Sequence, residues 1–187
     1  MKLIALLSAI AFVAGVPAAL AKTDGAPETG AACSLHKWGL KRALGLLSDP
    51  SNPILAGPDA VWTRASASAF FLELSPLSRT GILSVIDGAR FDAQSPVGAV
   101  RLPEIAPGEY QISLTQPALI EVFQNGRIVA PKKSSEAARC RIAKSVRVEL
   151  GRGDVVLRVS GAGAGAQKIG VAVERRPDQP KLRGPRN

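Results

Sequence analysis

Three kinds of residue in this chain could do chemistry: one histidine, two cysteines and a scatter of carboxylates. His36 stands three residues after Cys33 and directly before Lys37-Trp38. As a general base it would need a nucleophile and an orienting carboxylate within hydrogen-bond reach, and no local pattern supplies them. A Cys–His pair would need Cys33 or Cys140 as a free thiol. The N-terminus, read below, marks the chain for export, and an even cysteine pair in an exported chain reads first as a disulfide. Two sulfurs and one imidazole also fall short of the four ligands of a structural zinc site. Among the carboxylates, Glu73, Glu109, Glu121 and Glu149 alternate with apolar neighbours, which places them on outward strand faces. A glycosidase needs two carboxyls about 5–10 Å apart, and the sequence selects no pair. Asp87-Gly88 and Asp92 lack the repeated acids of a calcium loop and read as a turn. A hydrolase whose residues converge only in three dimensions stays open as an alternative.

Positive charge is the more concentrated signal. "PKKSSEAARCR" (131–141) carries Lys132, Lys133, Arg139 and Arg141 around Cys140, and Lys144 follows. Pinned by a disulfide, these five cations would form an anion-binding loop; the plain alternative is a solvated loop. The loop has no interleaved aromatics, so nothing marks it as a nucleic-acid surface. "GAGAGAQ" (161–167) is a link of small residues: Lys168 leads into a strand, whereas a phosphate loop needs Gly-Lys-Ser/Thr opening a helix. No cofactor motif is present, and no cofactor is expected.

The elements that must position these residues are mostly strands. In "EYQISL" (109–114), Tyr110, Ile112 and Leu114 alternate with Glu109, Gln111 and Ser113, giving one dry and one wet face. "KSVRVEL" (144–150) and "DVVLRVS" (154–160) repeat the pattern on either side of "GRG", which reads as a turn between them. "AFFLEL" (69–74), "GILSVI" (81–86), "VGAVRL" (97–102), "ALIEVFQ" (118–124), "RIVA" (127–130) and "KIGVAV" (168–173) complete the set. Asn125-Gly126 tolerates the positive φ angles of a tight hairpin and should join two of them. Before the strands, Leu35, Trp38, Leu44 and Leu47 recur at helical spacing, predicting one helix over about 34–47 with Ser34 as its cap. Eight or nine short strands joined by brief turns indicate an all-β antiparallel sandwich or jelly roll. Aromatics are few, and most fall on strand positions where a core role accounts for them.

The chain has 187 residues and a formal charge of +9. Met1-Lys2, the apolar run to Leu20 and the small residues "ALA" at 19–21 read as a signal peptide cleaved after Ala21. Gly15 and Pro17 would damage a lasting membrane span, so a periplasmic or secreted protein with no transmembrane segment is expected. About 166 residues remain (187 minus 21), enough for one core. Residues 22–32 read as a flexible lead-in and 33–174 as one domain. The segment 175–187, rich in Arg, Lys and Pro, cannot bury enough surface to offset its ordering entropy and reads as a disordered basic tail.

Residues 107–173 together resemble a group of small exported proteobacterial proteins of unknown function. The resemblance rests on Gly108, Tyr110 and Ile112 in a G-x-Y-x-[VI] strand, and on Asn125-Gly126. It continues through Cys140, Ile142 and Lys144 in a C-x-[GA]-[IL]-x-K entry, then Val146, Val148, Leu150 and the closing Ser160-Gly161. This chain departs from the pattern between Ala130 and Cys140, where relatives tend to carry a small His-containing segment. Some of that group are labelled homogentisate 1,2-dioxygenases. Such an oxygenase needs two histidines and a carboxylate on one iron, and this chain has one histidine. The resemblance therefore implies an exported β-sandwich and carries no activity. The sequence as a whole predicts a non-catalytic binding or accessory module, its partner being a periplasmic protein or an anionic surface met through the basic loop and tail.

Overall fold

Period-two alternation requires two sheets that turn their dry faces toward one another, and that is the arrangement found. The structure is a computed structural model that describes residues 31–57, 60–63, 67–76, 96–163 and 165–177. The leader, "GILSVI", the Asp87 to Asp92 turn and the tail from Asp178 onward lie outside the described residues.

Eleven strands are described: β1 (Ile54–Leu55), β2 (Ala67–Glu73), β3 (Ser75–Pro76), β4 (Pro96–Ile105), β5 (Gly108–Leu114), β6 (Leu119–Gln124), β7 (Arg127–Ile128), β8 (Lys133–Glu136), β9 (Lys144–Leu150), β10 (Gly153–Ser160) and β11 (Lys168–Arg175). They form a six-stranded sheet, β1-β2-β11-β5-β9-β8, and a five-stranded sheet, β3-β4-β10-β6-β7. Four antiparallel pairs nest inside one another: β2 with β11, β4 with β10, β5 with β9, and β6 with β7. That is a single long hairpin rolled around a core, the winding of a jelly roll. The fold class expected from sequence is therefore the one observed.

Tyr110, Ile112 and Leu114 of β5 meet Val155, Leu157 and Val159 of β10 in the core, with Val146, Val148 and Leu150 of β9 beside them. Each is at most 2% exposed, and each such burial stabilises by roughly 1.5–3 kcal/mol for the larger aliphatics. Tyr110 keeps its hydroxyl satisfied by donating to the Ala106 carbonyl at 2.8 Å. Asn125 and Gly126, both at positive φ, close the β6–β7 hairpin as the dipeptide requires.

Three sequence readings are corrected. "GRG" does not make a hairpin, because β9 and β10 belong to different sheets; the short turn carries the chain across the sandwich, and β10 pairs with β4 and β6 instead. The helix is shorter than 34–47. A 3-10 turn (Ala31–Leu35) precedes α1 (Lys41–Leu47), and Ser34 caps nothing in α1, whose N-cap position is Leu40. Residues 33–38 are held by other partners: Cys33 by Cys140, and the Lys37 backbone N–H by Ser135 Oγ at 3.0 Å. An amide spent on another strand cannot make an intrahelical bond. The strand edge of the tail also moves, since Arg175 ends β11 and the Arg176 amide donates to the Glu109 carbonyl.

α1 lies on the outer face of the six-stranded sheet, where Leu40, Ala43 and Leu47 join Ala69, Ala172, Ala137 and Ile142 in a second apolar cluster. Gly170 permits that approach. A Cβ there would stand 2.7 Å from Thr115 Cγ2 and 3.1 Å from Leu47 Cδ2.

Candidate functional site

Strand register places outward side chains in rungs across the six-stranded sheet. One rung is Ser135, Ser145 and Ser113, followed by Ala172. The next is Lys133, Arg147, Gln111 and Glu174. The segment from Cys33 to Leu47 crosses this face as a strap.

The serine rung is what the strap grips. Ser113 and Ser145 hydroxyls are hydrogen-bonded at 2.9 Å, Trp38 Nε1 donates to Ser145 Oγ at 3.2 Å, and Ser135 Oγ accepts from Lys37. His36 Nε2 lies 2.8 Å from the Ile142 carbonyl. A carbonyl only accepts, so Nε2 carries the proton, and in neutral imidazole Nδ1 is then an acceptor. That Nδ1 is buried without a partner. The Cys33–Cys140 disulfide closes the strap from below, and no cysteine is free. Between the two ends of the strap is a shallow hollow of ≈ 560 Å³ lined by His36, Lys37, Trp38, Leu40 and Lys41 among others.

On the second rung, the Arg147 guanidinium stacks on the Trp38 ring at 4.4 Å, a cation–π contact. Its Nε is buried and unpartnered, and its nearest carboxylate, Glu109, is 4.0 Å away and closer to Arg176 at 3.3 Å. Burial, and next the charge of Arg176, hold Arg147 below the usual arginine range, with Glu109 opposing. Glu174 is 7% exposed. Arg42 of α1 lies 3.6 Å from its Oε2, while its Oε1 has no partner. Burial raises the Glu174 carboxyl above its ordinary value, and Arg42 and Arg176 partly pull it back.

The five residues expected to bind an anion do not act as one cluster. Lys132 pairs with Glu149 at 2.7 Å, and Lys144 with Glu136 at 2.8 Å. Arg141 donates to Ser48 Oγ and to the Leu47 carbonyl, closing the C-terminal end of α1. Lys133 and Arg139 are exposed. "KKSSE" is also less loop than the sequence suggests, because Lys133 to Glu136 form β8. The carboxylates Glu109, Glu121 and Glu149 face outward and each meets a cation, Glu121 through Arg158. Among the described residues, no three His, Cys, Asp or Glu side chains converge as metal ligands would.

Comparison with family models, with curated proteins and with solved structures finds no match. The geometry alone therefore carries the functional reading.

Sequence reasoning missed Arg147 and Glu174. Alternation in "KSVRVEL" places Arg147 outward, but its juxtaposition with Lys133 and Trp38 depends on β8 and the strap. Glu174, the last residue of the expected domain, sits on β11 with Arg42 3.6 Å away. Alternation in "KIGVAVER" continues through Glu174 and could have found it.

Proposed function

We propose that the mature chain is an exported, disulfide-stapled, non-catalytic binding or accessory module, and that it binds on the strapped face of the six-stranded sheet. One observation carries this reading. Buried polar atoms without partners are rare in native proteins; of five among the described residues, three, His36 Nδ1, Arg147 Nε and Glu174 Oε1, belong to that face or its strap, while Ser160 Oγ and Arg175 Nε lie elsewhere. The groups gathered there are the Trp38 ring of the strap and, on the second rung, the Arg147 guanidinium and the Glu174 carboxylate. The Cys33–Cys140 bond is in keeping with an oxidising compartment such as the periplasm.

Thermal-shift screening of the oxidised mature protein against metals, sugars, small organic acids and polyanions tests the reading. A ligand at a hundred times its Kd contributes about 2.7 kcal/mol, which raises Tm by about 5–10 °C for a domain of this size. Trp38→Ala should abolish the shift. Silence across the whole panel, or a shift untouched by Trp38→Ala, refutes it.

A further inference from the structure

The arginines of this protein show how it treats a guanidinium whose role is structural. Arg158 sets two donors on Glu121 Oε2, through Nε at 2.6 Å and Nη2 at 2.5 Å. Arg101 does the same on Asp154 Oδ2 at 3.0 and 2.6 Å. Arg141 spends its fork on the end of α1. Arg147 differs from all three: its side chain is 13% exposed, yet its guanidinium makes no hydrogen bond among the described residues, and its nearest carboxylate lies at the limit of an ion pair. Taking a charge out of water without hydrogen bonds is costly. Trp38 covers one face of the guanidinium, and the described residues give its N–H donors no hydrogen-bond acceptor.

A second feature points the same way. Lys133 stands directly opposite Arg147 in the β8–β9 register. Like charges at such positions, with Cβ atoms about 4.5–5.5 Å apart, destabilise a sheet. No ion pair engages Lys133 among the described residues, whereas its neighbour Lys132 has Glu149 and Lys144 has Glu136. An anion between the two cations would remove the repulsion and supply the acceptor that Arg147 lacks. Guanidinium recognises planar carboxylates and phosphate oxygens through paired N–H donors.

We propose that Arg147 and Lys133, backed by the Trp38 ring, form an oxoanion site that takes the carboxylate or phosphate group of this protein's ligand. The inference rests on the binding-face reading and narrows it to a ligand class. It keeps Lys133 of the 131–141 segment and joins to it Arg147, its partner across the β8–β9 register.

Calorimetric titration of the oxidised mature protein with inorganic phosphate, and separately with succinate, tests it. One of the two probes should saturate at millimolar concentrations or below. Arg147→Lys keeps the charge and removes the fork, and should weaken binding on the order of tenfold. Lys133→Gln should weaken it severalfold, and Arg152→Gln, an exposed cation in the β9–β10 turn, should leave it within twofold. Matching urea midpoints separate loss of binding from loss of fold, and Lys133→Gln on an exposed strand position keeps the test open if Arg147→Lys unfolds. Sedimentation with phosphatidylglycerol vesicles identifies the source of the group: vesicle binding lost in Arg147→Lys places the phosphate on a lipid. Vesicle binding that survives Arg147→Lys and Lys133→Gln, with no heat from either free probe, is general electrostatic attraction and overturns the proposal. Equal affinities in all three variants overturn it too. If a neutral ligand from the screen binds in a Trp38-dependent way while both oxoanions are inert, the binding face stands and the oxoanion site falls alone.

Discussion

Replacing both cysteines, Cys33→Ser with Cys140→Ser, measures how the strap is held. The bond closes a loop with a sequence separation of 107 residues. In the chain-entropy model such a closure lowers the conformational entropy of the unfolded chain by an amount worth about 4.8 kcal/mol at 25 °C. The native side of the balance should change little, because the strap has other attachments. Leu40, Ala43 and Leu47 are buried against Ala172 and Ile142, and His36, Lys37 and Trp38 each hydrogen-bond to the sheet or its adjoining loop. The full entropic term should therefore reach global stability, less whatever strain the bond relieves on release. Urea unfolding followed by tryptophan fluorescence and by far-ultraviolet dichroism should show one transition in both proteins, with the variant less stable by about 3–5 kcal/mol. Its m-value should rise, since the uncrosslinked unfolded chain exposes more surface. In a thermal scan the loss corresponds to about 8–15 °C. Two outcomes refute the reasoning: an unchanged midpoint, or a fluorescence transition that precedes the dichroism change. The second would mean that Trp38 leaves with the strap while the sandwich stays folded, so that the bond holds a lid and not the fold.

Three further perturbations follow from the packing. Arg158 is 4% exposed and paired with Glu121, so Arg158→Ala should cost about 3 kcal/mol by leaving a carboxylate unpaired, and the double change Arg158→Met with Glu121→Leu should recover most of that; a double variant as weak as the single one contradicts the ion-pair account. A Cβ at Gly98 would stand 2.6 Å from the Glu73 carbonyl oxygen and 2.9 Å from Leu72 Cγ, so Gly98→Ala should destabilise by about 2 kcal/mol in urea. Glu174 carries a pH signature. Its carboxyl is raised in the folded state, chiefly by burial, so the folded protein binds that proton more tightly than the unfolded one. The stability it contributes is complete below the unfolded value and is lost as pH rises through the folded one. Glu174→Gln removes that decline, so its stability relative to the parent should improve from about pH 4 to pH 7; parallel urea midpoints across that range would contradict it.

How much of this was legible depends on whether a residue's fate is decided by its own strand or by a distant one. The β5, β9 and β10 alternations were legible because a half-buried strand must keep one face dry. The turn at Asn125-Gly126 was legible for an equally local reason, and the cysteine pair because an even pair in a chain that reads as exported points to a disulfide. The crossing at "GRG" was not, because a two-residue connection serves a hairpin and a step between sheets alike, and only the competing pairs of β10 with β4 and β6 decide between them. β8 was hidden for a related reason: "KSSE" holds no apolar residue, and Ser135 is buried only because the strap lies over it.

The cations show the same division most clearly. Lys132, Lys133, Lys144 and Arg147 lie within sixteen residues of one another; the sequence places the three lysines in a candidate anion-binding loop and Arg147 on an outward strand position. Register separates them. Lys132 and Lys144 find carboxylates on the neighbouring strand, while opposite each other Lys133 has no ion pair among the described residues and Arg147 reaches only Glu109, 4.0 Å away. Composition reports how much charge a segment carries, but pairing is a property of rungs, and rungs form only when strands distant in sequence come together. The charge of a basic segment therefore does not tell which of its cations are already paired. Arg147, whose Nε is buried without a partner, was one that sequence had placed, correctly but unhelpfully, on an outward strand position.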